Sequence, residues 1–100
     1  MILNFQTTWA KIINLSNSVF KTKTGLPFTY TVDNKTVWIY RNNHRINQSI
    51  DISNFEQVYK LMQANQNITP GNINKYAIAA KQSQVRGTSY VWAILNDPRI

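Results

Sequence analysis

The sequence predicts an α+β fold, a small antiparallel sheet packed with one N-terminal helix and three C-terminal helices. Three observations carry this expectation. Phe28-Thr29-Tyr30-Thr31-Val32 and Thr36-Val37-Trp38-Ile39-Tyr40 alternate with period two, are rich in β formers, and flank the turn residues Asp33-Asn34-Lys35. Apolar residues recur at helical spacing before this pair and again after it. With 100 residues, 43% of them hydrophobic, the chain suffices for one domain around a single core, with little reserve.

Taken in order, Asn4 can cap a helix over 5–15, where Phe5, Trp9, Ile12 and Ile13 fall on one face. Thr7 and Thr8 are weak helix formers, and Ser16-Asn17-Ser18 ends the segment. A third strand is expected near 19–24, before a turn marked by Gly25 and Pro27. The hairpin over 28–40 follows. With a two-residue loop, Phe28, Tyr30 and Val32 share a face with Val37 and Ile39, while Thr29, Thr31, Trp38 and Tyr40 share the other; a three-residue loop would shift that parity. The second face has two readings. Helices on both sides of the sheet would bury it, which is the favoured expectation. Left open and flanked by basic residues, it would be a stacking platform for single-stranded nucleic acid. Arg41-Asn42-Asn43-His44-Arg45 reads as a polar, basic loop carrying the only histidine. Ser53-Asn54-Phe55-Glu56 matches a capping box and opens a helix to about residue 64, with Phe55, Val58, Tyr59 and Met62 on its buried face. Asn65-Gln66-Asn67 is a polar loop.

Thr69 can cap the next helix with Pro70 at its first position, and Ile73, Tyr76, Ala77 and Ala80 form its apolar stripe; Gly71 and the neighbouring asparagines weaken the first turn. Gly87 can take positive φ and reverse the chain. Thr88 or Ser89 caps the last helix, and Pro98 ends it. Val91, Ile94 and Leu95 form its apolar stripe, Ser89, Ala93 and Asn96 the opposite face, and Tyr90 and Trp92 the borders. This helix is too short to stand alone and needs tertiary packing. Ser89-Tyr90-Val91-Trp92-Ala93-Ile94-Leu95-Asn96-Asp97-Pro98-Arg99, with Ile78-Ala79 before it, resembles the helix-turn-helix segment of bacterial DNA-binding proteins of the serine-recombinase and lactose-repressor types. The resemblance covers the stretch 73–99, and the turn is longer than in the compact motif. It implies that the last helix enters the DNA major groove.

The formal net charge is +7, from eleven basic and four acidic residues, and it favours a polyanionic partner through counterion release. Nucleic acid is the expected partner, DNA ahead of RNA. Lys75, Lys81 and Arg86 would contact phosphates, Ser89, Trp92 and Asn96 would face the groove, and Arg99 would add a backbone contact. Arg41 and Arg45 can grip phosphate oxygens from the basic loop. Cysteine is absent, which removes disulfides and thiolate metal sites, and neither a metal nor a cofactor is expected. No run of residues reads as a membrane span or signal peptide, so the expectation is a cytoplasmic protein. Asp33, Asp51, Glu56 and Asp97 are the only acids, and no pair of them has a reason to converge. With one histidine and no Gly-rich phosphate loop, no enzymatic activity is expected. Two alternatives stand beside DNA binding. One is a small basic toxin-type ribonuclease using His44, Arg41 and Arg45. The other is a non-catalytic protein-interaction module, such as a phage-type inhibitor or a subunit of a larger complex; a homodimer or a larger protein complex is the expected assembly in addition to nucleic acid.

Overall fold

The alternation over 28–40 forms a hairpin, β2 (Pro27–Asp33) and β3 (Thr36–Arg41), joined by Asn34 and Lys35. A computed structural model describes residues 5–42, 44–64, 67–82 and 84–100, with the backbone alone at 47 and 48. Asn4, Asn43, Asn65 and Gln66, which figure in the expected cap and loops, lie outside the described residues. The remaining elements are α1 (Phe5–Asn14), β1 (Phe20–Lys21), β4 (His44–Asp51), α2 (Ile52–Ala64), α3 (Ile73–Ala79) and α4 (Thr88–Leu95). The four strands form one antiparallel sheet in the order β1-β2-β3-β4. The α+β class and the order of helices around the hairpin are as expected.

Asn34 takes φ of +60°, which asparagine tolerates, so the hairpin loop has two residues and the predicted parity holds. Phe28, Tyr30, Val37 and Ile39 are buried on the inner face, and Ile50 of β4 joins them opposite Val37. All four helices deliver side chains to this one core, Ile12 from α1, Phe55 and Val58 from α2, Ile73 and Ala77 from α3, and Val91 and Ile94 from α4. Tyr30 is fully buried, and its hydroxyl donates to the Ile12 carbonyl, tying α1 to the sheet. Burial drives its pKa well above the usual tyrosine value, because the phenolate would be desolvated.

Several boundaries differ from expectation for local reasons. The third strand is only Phe20–Lys21, because Thr22 turns the chain early. Its hydroxyl accepts the Leu26 N–H, its N–H donates to the Leu26 carbonyl, and Gly25 supplies φ of +93°. The stretch read as a basic loop is instead largely strand: Arg41 ends β3, Asn42 turns at positive φ, and His44 begins β4. Helix α2 opens at Ile52, two residues earlier than a cap at Ser53 implied. Asp51, not Ser53, supplies the capping side chain, its carboxylate accepting the Ser53 N–H at 2.9 Å, and hydrogen bonds from the Ser53 hydroxyl and then its N–H hold the Asp51 carboxyl below its ordinary pKa. Helix α3 begins at Ile73, because Thr69 to Asn72 form a separate turn in which the Asn72 side chain accepts the Thr69 N–H. It ends with Lys81 at φ of +59°, where Gln82 N–H donates to the Ala77 carbonyl and Lys81 N–H to that of Ile78. Helix α4 has no side-chain cap from Thr88 or Ser89. Gly87, at φ of +62°, is its N-cap, and the helix ends at Leu95, before Pro98 can act. Ala93 is buried rather than on the open face, and Ile13 of α1 is exposed rather than in the stripe.

Candidate nucleic-acid interface

The outer face of the sheet is not buried by helices on both sides, contrary to the favoured expectation. Trp38 and Tyr40 are half-buried and stand outside the hydrophobic core, into which the inner-face residues and all four helices pack. Strand register arranges this face in cross-strand rows. Lys21 lies beside Pro27, Thr29 beside Tyr40 and Arg45, Thr31 beside Trp38 and Ser49, and Asp33 beside Thr36 and Asp51. The face is therefore polarised, cationic at the Lys21–Arg45 end and acidic at the Asp33–Asp51 end. The Arg45 guanidinium lies over the Trp38 ring, 4.7 Å from its centroid, so the indole plane is already matched to a flat cation. A register shift between Trp38 and Tyr40 lets β4 carry extra residues there and still return Arg45 to the outer face.

The C-terminal helix pair is arranged differently from a compact helix-turn-helix. Residues 80–87 separate α3 from α4, and both helices find their main helical partner in α2. Ser89 on α4 and Asn96 at its C-cap are exposed, as a groove-reading face requires. Trp92 is turned inward, its indole N–H donating to the Ile68 carbonyl at 2.8 Å. Arg99 is engaged at home. It pairs with Asp97 at 2.9 Å, donates to the Val19 carbonyl, and stacks over Phe20 at 4.3 Å. Lys75, Lys81 and Arg86 are exposed. The Arg86 N–H donates to Asn54, and Asn74 holds the connection by bonding both backbone groups of Val85.

Arg41 and Ser89, expected in separate places, line one cleft. The turn after β1 forms one wall with Lys23, Thr24 and Leu26, and Tyr90 and the Pro70-Gly71 turn complete it. Tyr90 is held there by an edge-on contact with Phe28, ring centroids 5.0 Å apart. Tyr40 and Asn42, the neighbours of Arg41, line a second, shallower groove with Pro27 and Thr29. Arg45 is not part of the cleft; it faces the outer sheet surface. His44 is exposed and pairs across the ladder with Arg41. No sequence signal marks Lys23 and Thr24, since their place in the cleft depends on how a turn packs against a helix distant in the chain. Among the described residues no group of three or more His, Cys, Asp or Glu side chains gathers to hold a metal ion, and no helix is long and apolar enough to cross a membrane.

Comparison with protein-family models, with curated proteins and with solved structures finds no match to the chain.

Proposed function

We propose that the protein binds nucleic acid and takes an unpaired strand across the cationic end of its open sheet face. One observation carries this reading. Trp38 and Tyr40 are half-buried and stand outside the core that the described helices pack into, with the Arg45 guanidinium stacked on the Trp38 ring. Every base has a π face, so such a platform binds without strong sequence preference, and the charge of +7 supplies the electrostatic attraction. Bases stack on Tyr40 and Trp38, Arg45 reaches a phosphate or sandwiches a base, and the acidic end of the face sets the limit of the track. The binding is non-catalytic, and no reaction step is assigned to His44.

The test is a fluorescence-anisotropy titration of labelled single-stranded DNA, single-stranded RNA and duplex DNA. The expected order places both single strands ahead of the duplex. Trp38→Ala should weaken single-strand binding by about 1–3 kcal/mol. Equal binding by wild type and the Trp38→Ala, Tyr40→Ala double variant would sink the platform.

Duplex binding through α4 is the second reading, favoured by the exposure of Ser89 and Asn96. It has less support, because Trp92 and Arg99 are already committed within the protein. A duplex preference lost on Asn96→Ala would select it.

A further inference from the structure

The cleft beside the sheet has the composition of a nucleotide subsite. None of its lining residues is acidic. Lys23 and Arg41 bring two cations to it, Ser89 and Thr24 bring hydroxyls, and Leu26 and Tyr90 provide an apolar wall. Leu26 is 47% exposed, so its side chain is open to a ligand in the cleft. The Thr22 hydroxyl is already used by the Leu26 N–H and Thr24 and serves to shape the turn. Convergent polar groups over an apolar wall are the ordinary make-up of a small-ligand site.

Position matters as much as composition. Tyr40, Arg41 and Asn42 are consecutive, and their side chains divide between two depressions. Tyr40 and Asn42 face the shallow groove that opens from the outer sheet face, while Arg41 faces the cleft. A strand stacked on Trp38 and Tyr40 reaches the cleft by turning over the end of β3, where Arg41 follows Tyr40 and points to the other side of the sheet.

We propose that this cleft holds the nucleotide next to the stacked bases, with Lys23 and Arg41 on its phosphodiester and Leu26 and Tyr90 against its base. This rests on the platform reading above and extends the same track. The ligand is a phosphate within a strand, and free phosphate is the source to be distinguished from it.

The experiment measures binding of a labelled dodecathymidylate at several salt concentrations by wild type and by Lys23→Ala, Arg41→Ala, Lys60→Ala and Trp38→Ala. Lys60 is exposed on α2 and controls for loss of charge alone. Lys23→Ala and Arg41→Ala should each lower affinity several-fold and reduce the slope of log affinity against log salt by about 0.7, one phosphate contact in a single strand. Trp38→Ala should lower affinity and leave the slope unchanged. In parallel, amide resonances of Thr24, Arg41 and Ser89 are followed by NMR, with the oligonucleotide or with inorganic phosphate added. The oligonucleotide should move them and phosphate at the same concentration should not. Slopes of Lys23→Ala and Arg41→Ala equal to that of Lys60→Ala would overturn the cleft, while loss of affinity in Trp38→Ala would leave the platform standing. Resonances moved by phosphate and not by the oligonucleotide would also overturn it, as a site for free anions. Wild type that binds no oligonucleotide removes the platform and the cleft together.

Discussion

At Tyr30 a polar atom is carried into the buried core, and the Ile12 carbonyl accepts its hydrogen bond there. The aromatic ring fills the inner face between Phe20 and α1, and the hydroxyl fixes how α1 lies on the sheet. Tyr30→Phe keeps the ring and deletes the bond, so it should cost about 1 kcal/mol in a urea titration, with little change in the slope of that titration. Asp97 is a different case, close to the surface. The Arg99 side chain donates to its carboxylate, and that bond holds the carboxyl below its ordinary pKa. A lowered folded value means the protein gains stability from the ionised form above about pH 4, the unfolded value, and loses it as pH falls through the folded one. Asp97→Asn should therefore flatten the fall of stability below about pH 4 relative to wild type, read as thermal midpoints across a pH series. The same exchange releases Arg99 from its carboxylate partner, though Phe20 and the Val19 carbonyl still hold it.

Among the elements, those with a strong period were legible and those built from local side-chain bonds were not. The hairpin could be read because its apolar residues alternate and its two-residue loop suits asparagine. Strand β4 could not, because Ile46 and Ile50 are the only strong apolar residues in His44–Asp51, and polar side chains occupy the rest. Its place in the sheet is set by pairing with β3, a non-local fact. The start of α3 was misplaced because Thr69 and Pro70 look like a helix opening. Asn72 instead spends its side chain on the Thr69 N–H and the Asn67 carbonyl, which holds the chain in a turn. The end of α3 offers a direct check. Lys81 occupies the left-handed conformation that glycine adopts at least cost, so Lys81→Gly should stabilise the fold by roughly 0.5–1 kcal/mol in chemical denaturation. A substitution that lowered stability would mean that the lysine side chain contributes more there than its backbone conformation costs.

For the molecule as a whole, the inner face of the sheet builds the core and the outer face carries the proposed platform, and paired substitutions separate the two. Ile39 is fully buried, and Ile39→Ala should cost about 2–5 kcal/mol of stability through the cavity it leaves. Its neighbour Trp38 is half-buried on the outer face beyond the core, so Trp38→Ala should cost about 1 kcal/mol of stability, well below the Ile39→Ala loss, while weakening strand binding. The candidate site was legible as residue types, since Trp38, Tyr40 and Arg45 were all noted as aromatic or basic. Their juxtaposition was not, because it needs β4 to run back beside β3 and return Arg45 across the register shift. That same irregular strand sits at one margin of the sheet, and at the other margin β1 is just Phe20–Lys21. Beyond β1, the Tyr30 carbonyl on the rim of β2 is already taken by the Asn17 N–H and the Ser16 hydroxyl. Neither border presents a long straight ladder for a neighbouring molecule to zip onto. Crowded copies of the chain thus have side chains, and little continuous backbone, through which to adhere, an arrangement that works against edge-to-edge association of the sheet.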